Sequence, residues 1–110
     1  NVHEGPQSIS KFNKIRLKPG MILSNEPGYY EKGKYGIRIE NLVYIKKNNK
    51  GTKFNNLTYA PIDKSLIIKD LLNKKEKIWL NNYHRLVFKK LKKYMNKTEL
   101  ILLKKSCSNI

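Results

Sequence analysis

The chain has 110 residues, room for a modest core, and its 24 Lys and Arg against 8 Asp and Glu leave a net charge of +16. No apolar run approaches the roughly 18 residues that span a bilayer, and the segment from Asn1 to Pro6 lacks a basic-then-apolar leader pattern. A polycation invites nucleic acid or an acidic membrane, yet only Arg16, Arg38 and Arg85 carry the guanidinium fork that reads phosphates and base edges bidentately. The abundance of Lys, Asn and Ile is what A/T-rich codons favour, so solvated Lys surfaces explain the charge better than a nucleic-acid role.

Residues 1–10 are polar and punctuated by Gly5-Pro6, and a basic stretch follows from Lys11 to Lys18. Pro19-Gly20 predicts a turn that launches a first strand at Met21-Ile22-Leu23, ending at Glu26-Pro27-Gly28. Tyr29 to Tyr35, with Gly33 and then Gly36, suits a hairpin connection. A second strand alternates Ile37, Ile39, Asn41, Val43 and Ile45 against Arg38, Glu40, Leu42 and Tyr44. Asn48-Asn49-Lys50-Gly51 is a strong turn, and Phe54 to Tyr59 reads as a further short strand stopped by Pro61.

The character then changes. Asn73 with Glu76 three residues on is a capping box for a helix beginning near Lys74. Trp79, Leu80, Tyr83, Leu86, Val87, Leu91, Tyr94 and Met95 fall at helical spacing, with Lys89, Lys90, Lys92 and Lys93 opposite. A basic amphipathic helix of this kind suits a membrane surface, but packing Trp79, Tyr83, Val87 and Leu91 on the sheet is the expectation. A second short helix is predicted over Thr98 to Lys105. Cys107 has no partner for an intrachain disulfide and reads as an exposed thiol in a frayed tail, compatible with a reducing compartment. Strands first and helices last make an α+β chain with an antiparallel sheet.

Two carboxylates stand out. Glu26 ends the first strand and Glu40 lies in the second, and an antiparallel pair brings residues on one face to within roughly 5 Å. Two like charges there repel, which a cation between them relieves, and paired metals are a standard device for hydrolysis. An edge strand with Glu40 in water beside Arg38 satisfies the same spacing, and spacing alone does not choose between the two.

The segments Val2-His3-Glu4-Gly5-Pro6, Asn25-Glu26-Pro27-Gly28-Tyr29-Tyr30 and Gly36-Ile37-Arg38-Ile39-Glu40-Asn41 resemble, in order and spacing, the closing motifs of the pita-bread metallopeptidases. The arginine before the final glutamate resembles the proline-directed branch rather than the methionine aminopeptidases. The VHEGP segment and Trp79-Leu80-Asn81-Asn82-Tyr83-His84 are similar to cytosolic aminopeptidase P. The resemblance implies that residues 1–65 are the C-terminal half of a pita-bread catalytic domain and 66–110 a C-terminal helical extension. It implies an aminopeptidase that cleaves after an N-terminal residue followed by proline, using two divalent ions held by two Asp, one His and two Glu. Mn²⁺ suits an oxygen-dominated donor set, with Zn²⁺ or Co²⁺ as alternatives. Within that scheme Glu26 matches a metal ligand that is also the general base, and Glu40 matches the ligand that bridges both ions. Arg38 and Tyr30 match a proton relay, and His3 matches the histidine that steadies the tetrahedral intermediate.

The departures matter as much. The family's two Asp ligands and ligating His lie upstream of this segment, and Asp63 and Asp70 both follow Glu40, so neither substitutes. With no initiator Met and a start inside functional sequence, the chain is expected to be part of a longer protein and inactive by itself. A cytoplasmic location, peptide substrates and a parent homodimer are what the resemblance implies; neither nucleic acid nor membrane is expected as a partner. Two other readings compete: a pita-bread relative that has lost its metal and serves as a binding module, and a basic nucleic-acid-binding domain. Keeping both glutamates argues against the first, since without metal the pair is an electrostatic cost.

Overall fold

The structure is a computed structural model and describes residues 5–110. The described residues form two compact units, one ending at Thr58 and the other running from Tyr59 to Ile110. Tyr59 and Ile62, at the start of the second unit, pack into its helical core.

The first unit is antiparallel throughout. Strand β1 (Ile22–Asn25) pairs with β4 (Asn41–Asn48), which pairs with β5 (Gly51–Asn56); β2 (Gly28–Glu31) pairs with β3 (Tyr35–Arg38) as a separate ribbon. Gly20, at φ +90°, makes the turn that admits β1, its N–H donating to the Ile45 carbonyl at 2.8 Å. The two-residue loop from Asn48 to Gly51 closes the β4–β5 hairpin, with Gly51 at φ +124°. The core is Leu23, Val43 and Ile45, against which Leu17 and Met21 pack. Burial of Asn41, Val43 and Ile45 but not their neighbours follows the period of two expected for a strand with one covered face.

Three expectations change here. The single strand predicted over residues 37–45 is interrupted at Ile39 and Glu40, and Tyr29 to Tyr35 is itself a hairpin, β2 to β3, turning at Gly33 with φ +74°. Ile37 and Ile39, placed by the alternation on one side with Val43 and Ile45, are exposed. The short strand expected over residues 54–59 runs instead over β5, three residues earlier.

The second unit is helical. Helix α1 (Lys74–Leu91) begins at the predicted capping box: Asn73 accepts from the Glu76 N–H at 3.0 Å, and Glu76 accepts from the Asn73 N–H at 2.8 Å. A single 3₁₀ turn, Lys92–Tyr94, follows it. Helix α2 (Lys97–Ser106) starts at a second such box, Asn96 with Glu99, one residue before the predicted start. Tyr83, Val87 and Leu103 form the core, with Tyr59, Ile62, Phe88, Leu91, Met95 and Cys107 around it. Trp79, expected to pack on the sheet, is 56% exposed and stacks on Tyr83 at 5.7 Å between ring centres. Cys107 caps α2 and packs on this core, and burial pushes its thiol above the ordinary range, so it is not a frayed-tail thiol. No helix among the described residues is long and apolar enough to cross a membrane.

The segment from Trp79 to His84 works as a clasp. Tyr83 donates its hydroxyl to the Ala60 carbonyl at 2.8 Å, the Ile62 N–H donates to His84 Nε2 at 3.0 Å, and Asn81 accepts from the Ile110 N–H at 2.9 Å. His84 is fully buried, and its Nδ1 has no partner among the described residues. With Nε2 accepting, the neutral ring carries its proton on Nδ1.

Burial, and then the Lys64 charge, hold the His84 pKa below its ordinary value of 6.5. The unfolded chain therefore binds the extra proton more readily in acid, so the stability carried by neutral His84 is whole above pH 6.5 and declines below it. The melting temperature should stay level from about pH 8 to 6.5 and fall towards about pH 5. His84→Gln should be less stable at neutral pH and lose this part of the slope; a wild-type slope in the variant would assign the pH dependence elsewhere.

Candidate active site

The register of the first unit explains why the candidate residues converge. Asn25 faces Asn41 in one ladder and Gly28 faces Arg38 in the other. Stepping inward from both sides puts Glu26 opposite Glu40 and Pro27 opposite Ile39, and the Ile39 N–H donates to the Pro27 carbonyl at 3.1 Å. The two ribbons are thus one continuous register with a break. Pro27 has no N–H to return to the ladder, so pairing fails at that point. The failure leaves both carboxylates at the gap.

Arg38 crosses this gap. Its Nη1 donates to Glu26 Oε2 at 2.8 Å and its Nε donates to the Tyr30 hydroxyl at 2.8 Å. The hydrogen bond and charge interaction with Tyr30 raise the guanidinium pKa, and Glu26 and then Glu40 add to the shift. Tyr30 can lie flat across the ribbon because glycines form the floor beneath it. A Cβ on Gly36 would come within 2.6 Å of the Tyr30 ring, and one on Gly28 within 2.7 Å of its hydroxyl oxygen.

Glu26 is also held from the other side. Ser24 donates its hydroxyl to Glu26 Oε1 at 2.6 Å. Both lie on the wall of a cleft of about 490 Å³ that also takes in Gln7, Asn13, Ile22 and Pro27. Glu26 is half-buried and Glu40 exposed. Ser24 is absent from the residues singled out by sequence. The available signal was its position two residues before Glu26, which in a strand places both side chains on one face.

The structure therefore brings Glu26, Arg38 and Tyr30 into contact and sets Glu40 opposite Glu26 in register. His3 lies outside the described residues. Among the described residues no three His, Cys, Asp or Glu side chains converge as a metal site would require. Two carboxylates are hard oxygen donors and suit part of a divalent-ion donor set, but they do not complete one.

Comparison with known proteins agrees with this geometry. Residues 1–47 match the model of metallopeptidase family M24, and residues 50–110, more than half of the chain, match the C-terminal region of peptidase M24. The chain belongs to the M24 metallopeptidase family. Among its M24 relatives, the "Probable Xaa-Pro aminopeptidase P" of Coprinopsis cinerea is 50% identical over 102 residues, covering 83% of this chain and 16% of the relative. The protein of the same name from Botryotinia fuckeliana is 42% identical over 113 residues, covering 93% of this chain and 17% of the relative. A crystal structure of X-prolyl aminopeptidase from Caenorhabditis elegans, described as a cytosolic enzyme with a di-nuclear active site, matches with a TM-score of 0.75 at 36% identity. That match covers 86% of this chain and 17% of the other. The chain thus spans about a sixth of the length of these M24 proteins. The α+β class, with antiparallel sheets followed by two helices, is the fold it shares with the pita-bread aminopeptidase.

Substituting Gly36 by Ala tests the glycine floor. The backbone there has no need of glycine's extra freedom, so the added methyl acts only by displacing the Tyr30 ring. The Arg38 Nε–H should lose its acceptor and exchange faster with solvent, read from its ¹⁵N-correlated NMR signal. An unchanged exchange rate would mean that the ring moves aside without releasing Arg38.

Proposed function

We propose that this M24 segment carries part of the active site of a dinuclear metal-dependent aminopeptidase. The enzyme hydrolyses the bond between an N-terminal residue and a following proline. The observation that supports this most is the opposition of Glu26 and Glu40 at a break in one register, with Arg38 and Tyr30 clamped onto Glu26. The proline preference is drawn from the names of the relatives, all Xaa-Pro or X-prolyl aminopeptidases.

Glu26 and Glu40 would hold the metal pair together with two Asp and a His from elsewhere in the longer enzyme. Two bound divalent ions, for which Mn²⁺ is our choice over Zn²⁺ or Co²⁺, would supply hydroxide near neutral pH and polarise the scissile carbonyl. Glu26 takes the proton of the attacking water at Oε1, the oxygen that accepts from Ser24 while Oε2 accepts from Arg38, and returns it to the leaving proline nitrogen. The new C–O bond forms first, and the C–N bond breaks as the tetrahedral intermediate collapses. Arg38 keeps the second oxygen of Glu26 oriented and offsets the negative charge of the pair, and Tyr30 fixes the guanidinium plane from the far side. His3 is the donor that steadies the oxyanion. In this reading the first unit is the catalytic part and the second a helical extension. The enzyme acts in the cytoplasm as a homodimer.

Two experiments bear on it. In the complete protein that carries this segment, Glu40→Gln should abolish peptide hydrolysis and lower the bound metal, because one of the negative charges that would hold the cations is lost. Arg38→Lys should lose activity with metal largely retained, since an ammonium lacks the fork that holds Glu26 and Tyr30 together. Metal analysis alongside turnover separates the two, and an active Glu40→Gln enzyme would end the dinuclear reading.

The 110 residues alone should release no amino acid from a Xaa-Pro peptide in excess Mn²⁺. Two carboxylates fix neither ion with the open position that hydrolysis requires. Turnover above a metal-only control would mean that the donor set lies within this chain.

A further inference from the structure

We propose that Ser24 is a positioning residue for Glu26, holding its carboxylate in the one orientation that serves both metal binding and proton transfer. The inference rests on the reading of Glu26 given above and goes beyond it, because nothing in that reading requires a hydroxyl at this position.

The geometry carries it in three steps. First, Glu26 follows the last residue of β1, and a carboxylate on three rotatable bonds beyond a strand end has several orientations open to it. Second, its two oxygens are held by different donors from opposite sides: Oε2 by Arg38 Nη1 at 2.8 Å and Oε1 by Ser24 Oγ at 2.6 Å. Two donors, one on each oxygen, together with the Cγ held by the chain fix the plane of the carboxylate, and Ser24 supplies the second of them. Third, Ser24 is itself fixed by the ladder, paired with Leu42 between the buried Leu23 and Asn25, so its hydroxyl starts from rigid backbone.

The chemistry of the residue suits the role. A hydroxyl donates to a carboxylate, and after a half-turn it accepts from the protonated carboxyl, so one side chain follows Glu26 through both protonation states. Alanine does neither. Threonine retains the hydroxyl and adds a methyl group favoured in strands.

The test uses the complete protein carrying this segment, loaded with Mn²⁺. Ser24→Ala should lower kcat by about tenfold or more with KM little changed, and weaken Mn²⁺ binding by a similar factor in calorimetry, the range for residues that orient ligands from behind. Ser24→Thr should restore most of both. A merely structural role would instead lower the melting temperature and leave Mn²⁺ affinity and the kcat-to-KM split unmoved. Ser24→Ala with unchanged kcat and Mn²⁺ affinity, or Ser24→Thr as impaired as Ser24→Ala, overturns the proposal. Glu26→Gln run in parallel keeps the two ideas apart. If it is inactive while Ser24→Ala is normal, only Ser24's role fails; if it is active, the role given to Glu26 fails and Ser24's goes with it.

Discussion

The first unit depends on a missing hydrogen-bond donor. Pro27 interrupts an antiparallel register that is otherwise continuous from Asn25 and Asn41 to Gly28 and Arg38. Without the interruption Glu26 and Glu40 would be one more cross-strand pair of like charges, which is unfavourable. With it, the ladder opens by a few residues, the carboxylates face a gap, and a cation can enter from the side. That first cation is Arg38, carried on the neighbouring strand and already bonded to Glu26.

Around the gap each support is itself supported. Arg38 is aimed by Tyr30, Tyr30 lies flat because Gly28 and Gly36 offer no side chain beneath it, and Ser24 holds the second oxygen of Glu26. Charged groups that are partly open to water need this kind of redundancy, because a single exposed ion pair contributes little and does not define a geometry. The exposed Ile37 and Ile39 are the counterpart: β2 and β3 are committed to the Tyr30–Arg38 arrangement rather than to a core.

The second unit solves a different problem, that of giving two short helices one core. Its answer is the clasp from Trp79 to His84, where polar atoms of α1 take backbone groups of Ala60, Ile62 and Ile110. Burying a histidine to accept one backbone N–H trades stability in acid for a defined docking of the Tyr59–Ile62 segment on α1.

Much of this was legible from the residues. The capping box at Asn73, the turns at Pro19-Gly20 and Asn48–Gly51, and the two glutamates all announce themselves through local rules that act within a few positions. The family could be read from short motifs in order. Local rules could not show that one predicted strand is two, since the cause lies across the ladder at Pro27 rather than beside Ile39. Nor could they turn Trp79 outward, because helical spacing marks an apolar face without saying which member of it the partner reaches. The sequence by itself determined which side chains were available and where regular structure begins and ends, because those depend on neighbours along the chain. Only the tertiary structure decided that Ser24, Arg38 and Tyr30 act on Glu26 as one group, because hydrogen bonds reach about 3 Å through space whatever the separation along the backbone.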